Sequence, residues 1–334
     1  MDYIIEPSKS YESLDTLRHD LALMDVRESQ SFRLDQMRLT THGTVDITGL
    51  GEYPLTEIAL GDAVRYGGLQ LSCCQNFFSE QQAILDEAIV NAANSFYQHS
   101  HAASYEVKLI TRADPNGRAV LGIPSKKYAL FTNSQAVEKV AKNAPRELSL
   151  TRARVYPQFM EIAFTDELHT TKDHLGKVVA VGLNFLNSQG TRTCALTVAC
   201  FSLRKICTNG ATASHKTFSR RYPHRGDLSG SDDRFAKETN EIFTRFALMM
   251  QQLPKLGDIP VTDKLLNQIK PDLIEALAVK ETEKFLQAIN LTNETVSDLW
   301  NKVTELPHRI ANPDTRLRLE NLGFRLLVMH LNAN

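Results

Sequence analysis

Cysteine is scarce in this sequence and shows no pairing pattern: Cys73, Cys74, Cys194, Cys200 and Cys207 form an odd set of five with no CxxC spacing. Such a set argues against a disulfide framework and against a structural zinc site. Long apolar runs are also missing. No stretch of about 18 apolar residues occurs, and the opening MDYIIEPSKSYESLD is acidic and polar where a secretory leader is basic and then apolar. A cytoplasmic protein without a membrane partner is therefore expected. The patterns GxxxxGKS/T, GxGxxG and HExxH do not occur either, which removes support for nucleotide hydrolysis, dinucleotide redox chemistry and zinc proteolysis. No cofactor is expected, and the balance leans away from an enzyme.

What is present suits an ordinary globular chain. Hydrophobic residues make up 42% and charged residues 23% of 334 positions, enough apolar material for a sizeable core. YESLDTLRHDLALM reads as a short amphipathic helix, and FRLDQMRLTTHGTVDITG as a hairpin around His42-Gly43. YPLTEIALGDAVRYGG has helical spacing and a Gly67-Gly68 stop, and SEQQAILDEAIVNAANSFYQ opens a second helix on a serine. Asp114-Pro115-Asn116-Gly117 is a specific turn signal between two β-rich runs. KKYALFTN is expected to be a strand, SQAVEKVAKN a helix, and ELSLTRARVYPQFMEIAFTD strands broken at Pro157. GKVVAVGLNFLNSQGTRTCALTVACFSLRKICTNG holds two long extended runs joined at residues 187–190, with Cys194, Leu196, Val198 and Cys200 alternating on one face. SDDRFAKETNEIFTRFALMMQQL starts a helical C-terminal part, with Phe235, Ile242, Phe246 and Met249 along one side. Pro254, Pro260, Pro271, Pro307 and Pro313 punctuate the helices that follow. The expected architecture is α+β: a central, mostly antiparallel sheet with long β-hairpins and flanking helices over residues 1–230, and a helical region over 231–334 packed on it.

Charge is distributed unevenly. From His174 to Gly226 there is no Asp or Glu, while Lys177, Arg192, Arg204, Lys205, Lys216, Arg220, Arg221 and Arg225 contribute eight positive charges to a chain of net charge −1. Such a segment points to an anionic partner. Arg192, Arg204, Lys205, Lys216, Arg220, Arg221 and Arg225 are candidate phosphate contacts, and Phe218 and Tyr222 offer rings for base stacking, the mix that single-strand binders use. The competing reading makes Phe218 and Tyr222 core anchors and pairs the arginines with acids such as Asp232 and Asp233.

Four stretches, PLTEIALGDAVRYGG, LGIPSKKYALFTNSQAVEK, LNFLNSQGTRTCALTVACFSLRKICTNG and SDLWNKVTELPHR, resemble in order the phage- and plasmid-associated proteins that carry the domain of unknown function 932. Lys205-Ile206 stands where that family has a valine pair. The resemblance implies a mobile-element setting and, by association, DNA recombination or replication; it implies no catalytic residue. A long hairpin, a basic loop and a helix also suit proteins that anneal single strands as homo-oligomeric rings, in which many weak patches act together. Single-stranded DNA is the favoured partner.

Other motifs carry less. Glu167, His169, Asp173 and His174 in DELHTTKDH have metal-ligand chemistry suited to a nuclease, but their spacing fits a solvated loop better. Cys207 beside Arg204 and Lys205, with His215 or His224 as base, resembles an activated thiol; Asn209-Gly210 after it reads more simply as a strand-ending turn. His99 and His101 are expected at the surface after a helix, and Trp300 as a packing anchor. No residue is assigned a catalytic or metal-binding role. A non-enzymatic factor that meets an acidic protein is the remaining alternative.

Overall fold

The computed structural model describes residues 9–69, 87–115, 117–144, 148–156, 159–176, 178–190, 195–204, 209–212, 218–224, 232–310 and 313–331. The first described elements are β1 (Lys9–Tyr11) and α1 (Leu14–Leu23), whose first turn is closed by Ser13: its hydroxyl accepts the Thr16 N–H at 3.1 Å. The chain then builds a smaller unit from β2 (Arg27–Glu28), β3 (Phe32–Arg33), β4 (Met37–Leu39), β5 (Thr44–Ile47), β6 (Gly51–Pro54), α2 (Glu57–Tyr66), α3 (Glu87–His99), β7 (Glu106–Val107), β8 (Ile110–Asp114) and β9 (Gly117–Gly122). The ladders are β2-β8-β9, β3-β7 and β4-β5-β6, all antiparallel. The hairpins expected at His42-Gly43 and Asp114–Gly117 both form. The opening of the second helix, residues 79–86, lies outside the described residues.

After β9 the sequence expectation of a strand over KKYALFTN is not met. Residues 126–132 form no ladder; Ala129 N–H donates to the His224 carbonyl at 2.9 Å, and Phe131 turns into the core. The aromatic and β-prone composition there serves packing rather than strand pairing. α4 (Asn133–Asn143) follows, opened by a reciprocal cap between Thr132 and Gln135.

The large sheet contains β10 (Leu148–Val155), β11 (Met160–Lys172), β12 (Val178–Asn187), β13 (Leu196–Arg204), β14 (Asn209–Thr212) and β15 (Ser219–Tyr222). Its order is β1-β10-β11-β12-β13, with β14 and β15 sharing the far side of β13; every pairing is antiparallel. Period-two alternation gives it an apolar inner face of Ile162, Phe164, Val181, Leu183, Phe185, Leu196, Val198 and Cys200. Against that face lie α1, α4 and α5 (Asp232–Met250), the last contributing the expected Phe235, Ile242, Phe246 and Met249. α6 (Asp263–Leu277), α7 (Val279–Gln287), α8 (Val296–Glu305) and α9 (Pro313–Leu331) complete the chain. Trp300, 2% exposed, is the anchor the sequence suggested. Pro313 begins α9, where its missing N–H costs nothing. Pro271 departs from the punctuation reading, since α6 runs straight through it.

The C-terminal helices and the sheet share one apolar cluster, which also takes in Leu17 and Leu21 of α1. The second cluster lies within residues 32–123. The two units meet where β9 touches the β12–β13 hairpin: a Cβ on Gly122 would lie 1.4 Å from the Gly190 carbonyl oxygen. Only glycine allows that approach. Among the described residues no helix is long and apolar enough to cross a membrane.

Candidate nucleic-acid interface

The basic segment enters the described structure as β15, which pairs Ser219, Arg220, Arg221 and Tyr222 with Ala199, Val198, Thr197 and Leu196. Neighbouring side chains on a strand point to opposite faces. Phe218, Arg220 and Tyr222 therefore join Leu196, Val198 and Cys200 on the inner face. Phe218 is 2% exposed, edge-on to Phe246 at 5.6 Å and to Phe324 at 5.7 Å. It is a core anchor and cannot stack on a base, which corrects that part of the sequence expectation. Tyr222 is also committed: its ring lies 5.2 Å from Phe235 and its hydroxyl donates to Glu238 Oε2 at 2.7 Å. Burial, then that hydrogen bond, raises the phenol above its ordinary pKa. Burial opposes ionisation of Glu238, yet hydrogen bonds from Arg234 and Tyr222 hold its carboxyl below the usual range. Arg220 is half-buried on this side, its Nη1 donating to the Ser219 carbonyl at 2.9 Å, and its charge also favours the Glu238 carboxylate. The acid that meets this face is thus Glu238, one turn past the Asp232-Asp233 pair.

Ser219 and Arg221 lie on the outer face, and Arg221 is exposed. The register places one row across that face: Ser10, Arg154, Glu161, Leu186, Thr197 and Arg221. Four strand spacings separate Arg154 from Arg221, about 19 Å. The row's carboxylate, Glu161, is 8% exposed and already satisfied by Arg152 and by Asn184 Nδ2 at 3.1 Å. Arg152 stays protonated: burial works against its charge, and the carboxylates of Glu161 and Glu320 outweigh burial. Arg154 Nη1 lies 3.4 Å from the Tyr156 hydroxyl, and the Tyr156 and Phe159 rings sit 4.7 Å apart at the β10–β11 turn. Among the described residues neither Arg154 nor Arg221 has a carboxylate partner. Arg192, Lys205, Lys216 and Arg225 lie outside the described residues; Arg204 ends β13, with its side chain outside them.

A buried polar node, absent from the sequence reading, lies at the end of the inner face. Asn187 Nδ2 donates to the Phe131 carbonyl at 3.2 Å and to Asn133 Oδ1 at 2.9 Å. That leaves Asn187 Oδ1 to accept from His224 Nε2–H at 3.1 Å, and His224 Nδ1 to accept from the Tyr128 hydroxyl at 2.7 Å. Gly190 N–H donates to the same hydroxyl at 3.1 Å. Burial, then the charge of Arg221, lowers the His224 pKa to about 4. With both nitrogens engaged, His224 is not a base for Cys207, which lies outside the described residues. The one sequence signal for this node was the Asn-Ser-Gln-Gly turn; its other members are dispersed along the chain.

The DELHTTKDH segment is not a solvated loop. β11 extends through Lys172, and Asp173, 3% exposed, caps its own turn through the Leu175 N–H. His174 faces the C-terminal helices, 2.6 Å from Ser297 Oγ and 3.3 Å from Asp298 Oδ1. The side chains of Glu167 and His169 lie outside the described residues. Among the described residues no group of three or more His, Cys, Asp or Glu is placed to hold a metal ion. His99 and His101 are exposed, as expected.

No family model, curated protein or solved structure matches the chain.

Proposed function

We propose that this protein binds nucleic acid, single-stranded DNA in preference, along the outer face of its large sheet. The observation that carries the reading is the cross-sheet row in which Arg154 and Arg221 stand without carboxylate partners among the described residues while Glu161 is neutralised by Arg152. A strand laid across the row meets Arg154 and Arg221 at the two sides and, between them, Leu186, Thr197 and the largely buried Glu161 paired with Arg152. Tyr156, beside Arg154, replaces Phe218 and Tyr222 as the aromatic surface for a base. The resemblance to the domain of unknown function 932 favours a phage or plasmid setting, and assembly into a ring would repeat the row around the strand.

The test is fluorescence anisotropy with labelled single-stranded and duplex DNA across a salt series, with mass photometry on the same samples. Wild type is expected to bind single strands more tightly and to lose affinity with salt. Arg154→Ala and Arg221→Ala should each flatten the logarithmic salt slope by about 0.7 for one lost phosphate contact. Unchanged slopes in both variants remove this face from the reading, and absence of binding at low salt ends it.

A further inference from the structure

We infer that a second recognition site lies in the smaller unit, in the cleft between the end of α2, the last turns of α3 and the 3-10 turn His101–Ser104, and that it takes a nucleobase with its phosphate. The inference rests on the nucleic-acid reading for its ligand but on none of that reading's residues. The cavity has a volume of 510 Å³, within the range of small-molecule sites. Its described lining residues combine three aromatic rings, Tyr66, Phe96 and Tyr105, with Arg65, His99 and His101, and no carboxylate is among them.

Local packing accounts for the shape. Gly67 sits so close to α3 that a Cβ there would meet Ala93 Cβ at 2.7 Å, and Gly68, at φ +76°, lies against the Phe96 ring, which a Cβ would approach to 3.0 Å. The pair lets the end of α2 settle onto α3 and supports one side of Phe96. That residue remains 39% exposed and Tyr105 58% exposed, so two large rings face a concavity that water alone covers poorly. Arg65 Nη1 is held at 3.0 Å by Asp62 Oδ1, while Asp62 Oδ2 accepts the Ile123 N–H from inside the unit. The buried carboxylate orients the guanidinium of Arg65, a lining residue of the cavity, whose other N–H groups can serve a phosphate bidentately. His99 Nδ1 lies 3.0 Å from the Ser95 carbonyl, which leaves Nε2 as the ring's polar atom toward a ligand. Stackable rings beside an arginine oriented by Asp62, with no carboxylate among the described lining residues, complement a flat aromatic base that carries an anion.

The experiment compares the full chain with Tyr105→Ala and Phe96→Leu variants, both checked for unchanged melting, using a labelled oligothymidylate. Loss of one stacking partner should weaken binding about 5- to 150-fold while leaving the salt slope unaltered, because stacking releases no counterion. An iodouracil-substituted probe irradiated on the protein should crosslink to Tyr105 or Phe96. Competition by thymidine monophosphate then marks a free nucleotide as ligand, and competition by the longer strand alone marks a base within a strand; both support the pocket. Unchanged affinity in both variants with no crosslink at either ring overturns it. If Arg154→Ala and Arg221→Ala weaken binding and the pocket variants do not, the pocket fails and the sheet face stands. The reverse pattern removes the sheet face and leaves the pocket.

Discussion

The two faces of β15 make opposite use of one short basic sequence. On the inner side Phe218, Arg220 and Tyr222 are drawn into the core or tied to its edge through Glu238; on the outer side Arg221 is exposed, with no carboxylate partner among the described residues. Arg220 and Arg221 are adjacent in sequence and alike in chemistry, yet the strand gives them different work. A run of positive charge therefore measures how much charge a segment holds, and only the pleat decides which of it faces a ligand.

The sharpest way to test that contrast is to cut one side chain from each face. Phe218→Ala removes a ring wedged between Phe246 and Phe324 and should cost about 3–5 kcal/mol, whereas Arg221→Ala should stay within about 0.5 kcal/mol. Chemical denaturation compares them directly; equal midpoints would erase the distinction. A second test uses pH. An unfolded histidine titrates near 6.5 and His224 near 4, so between those values the unfolded chain binds more protons than the folded one. Stability is then full above pH 6.5 and falls as the pH drops toward 4, by up to about 3 kcal/mol. His224→Gln should flatten that part of the profile, and a profile left as steep as wild type would remove the buried node as its source.

Smaller effects follow for binding. The double variant Arg154→Ala, Arg221→Ala should lower the salt slope by about 1.4 if the contacts are independent. Arg220→Gln, on the other face, should leave the slope where it was. A matching loss at Arg220 would mean that the inner arginine also reaches phosphate and that the faces are not distinct.

Much of the architecture could be read from pattern. The alternation of Leu196, Val198 and Cys200 marked the inner face, the Asp-Pro-Asn-Gly turn marked a hairpin, and the spacing of Phe235, Ile242 and Phe246 marked the helix that covers the sheet. Failures came where local signals were short or partners distant. β15 spans four residues, too few for its alternation to stand out from a basic loop, so the sequence left Phe218 between a stacking role and the core anchor it proves to be. The Tyr128–His224–Asn187 node joins positions far apart in sequence, and no spacing rule reaches across them. KKYALFTN has strand-like composition, but a ladder needs a neighbour with free backbone groups, and Ala129 finds its partner in the His224 carbonyl instead.

The route of the chain through its two apolar clusters bears on how the molecule is made. α1 belongs to the main core, where Arg18 Nε reaches Glu138 Oε1 at 2.7 Å across a separation of 120 residues, but the whole smaller unit is written between these partners. During synthesis at about 5–20 residues per second, Leu17 and Leu21 wait roughly 6–24 s before their helical neighbour emerges. The smaller unit can complete its own core within that interval, whereas α1, made before it, must wait for α4 before it can dock.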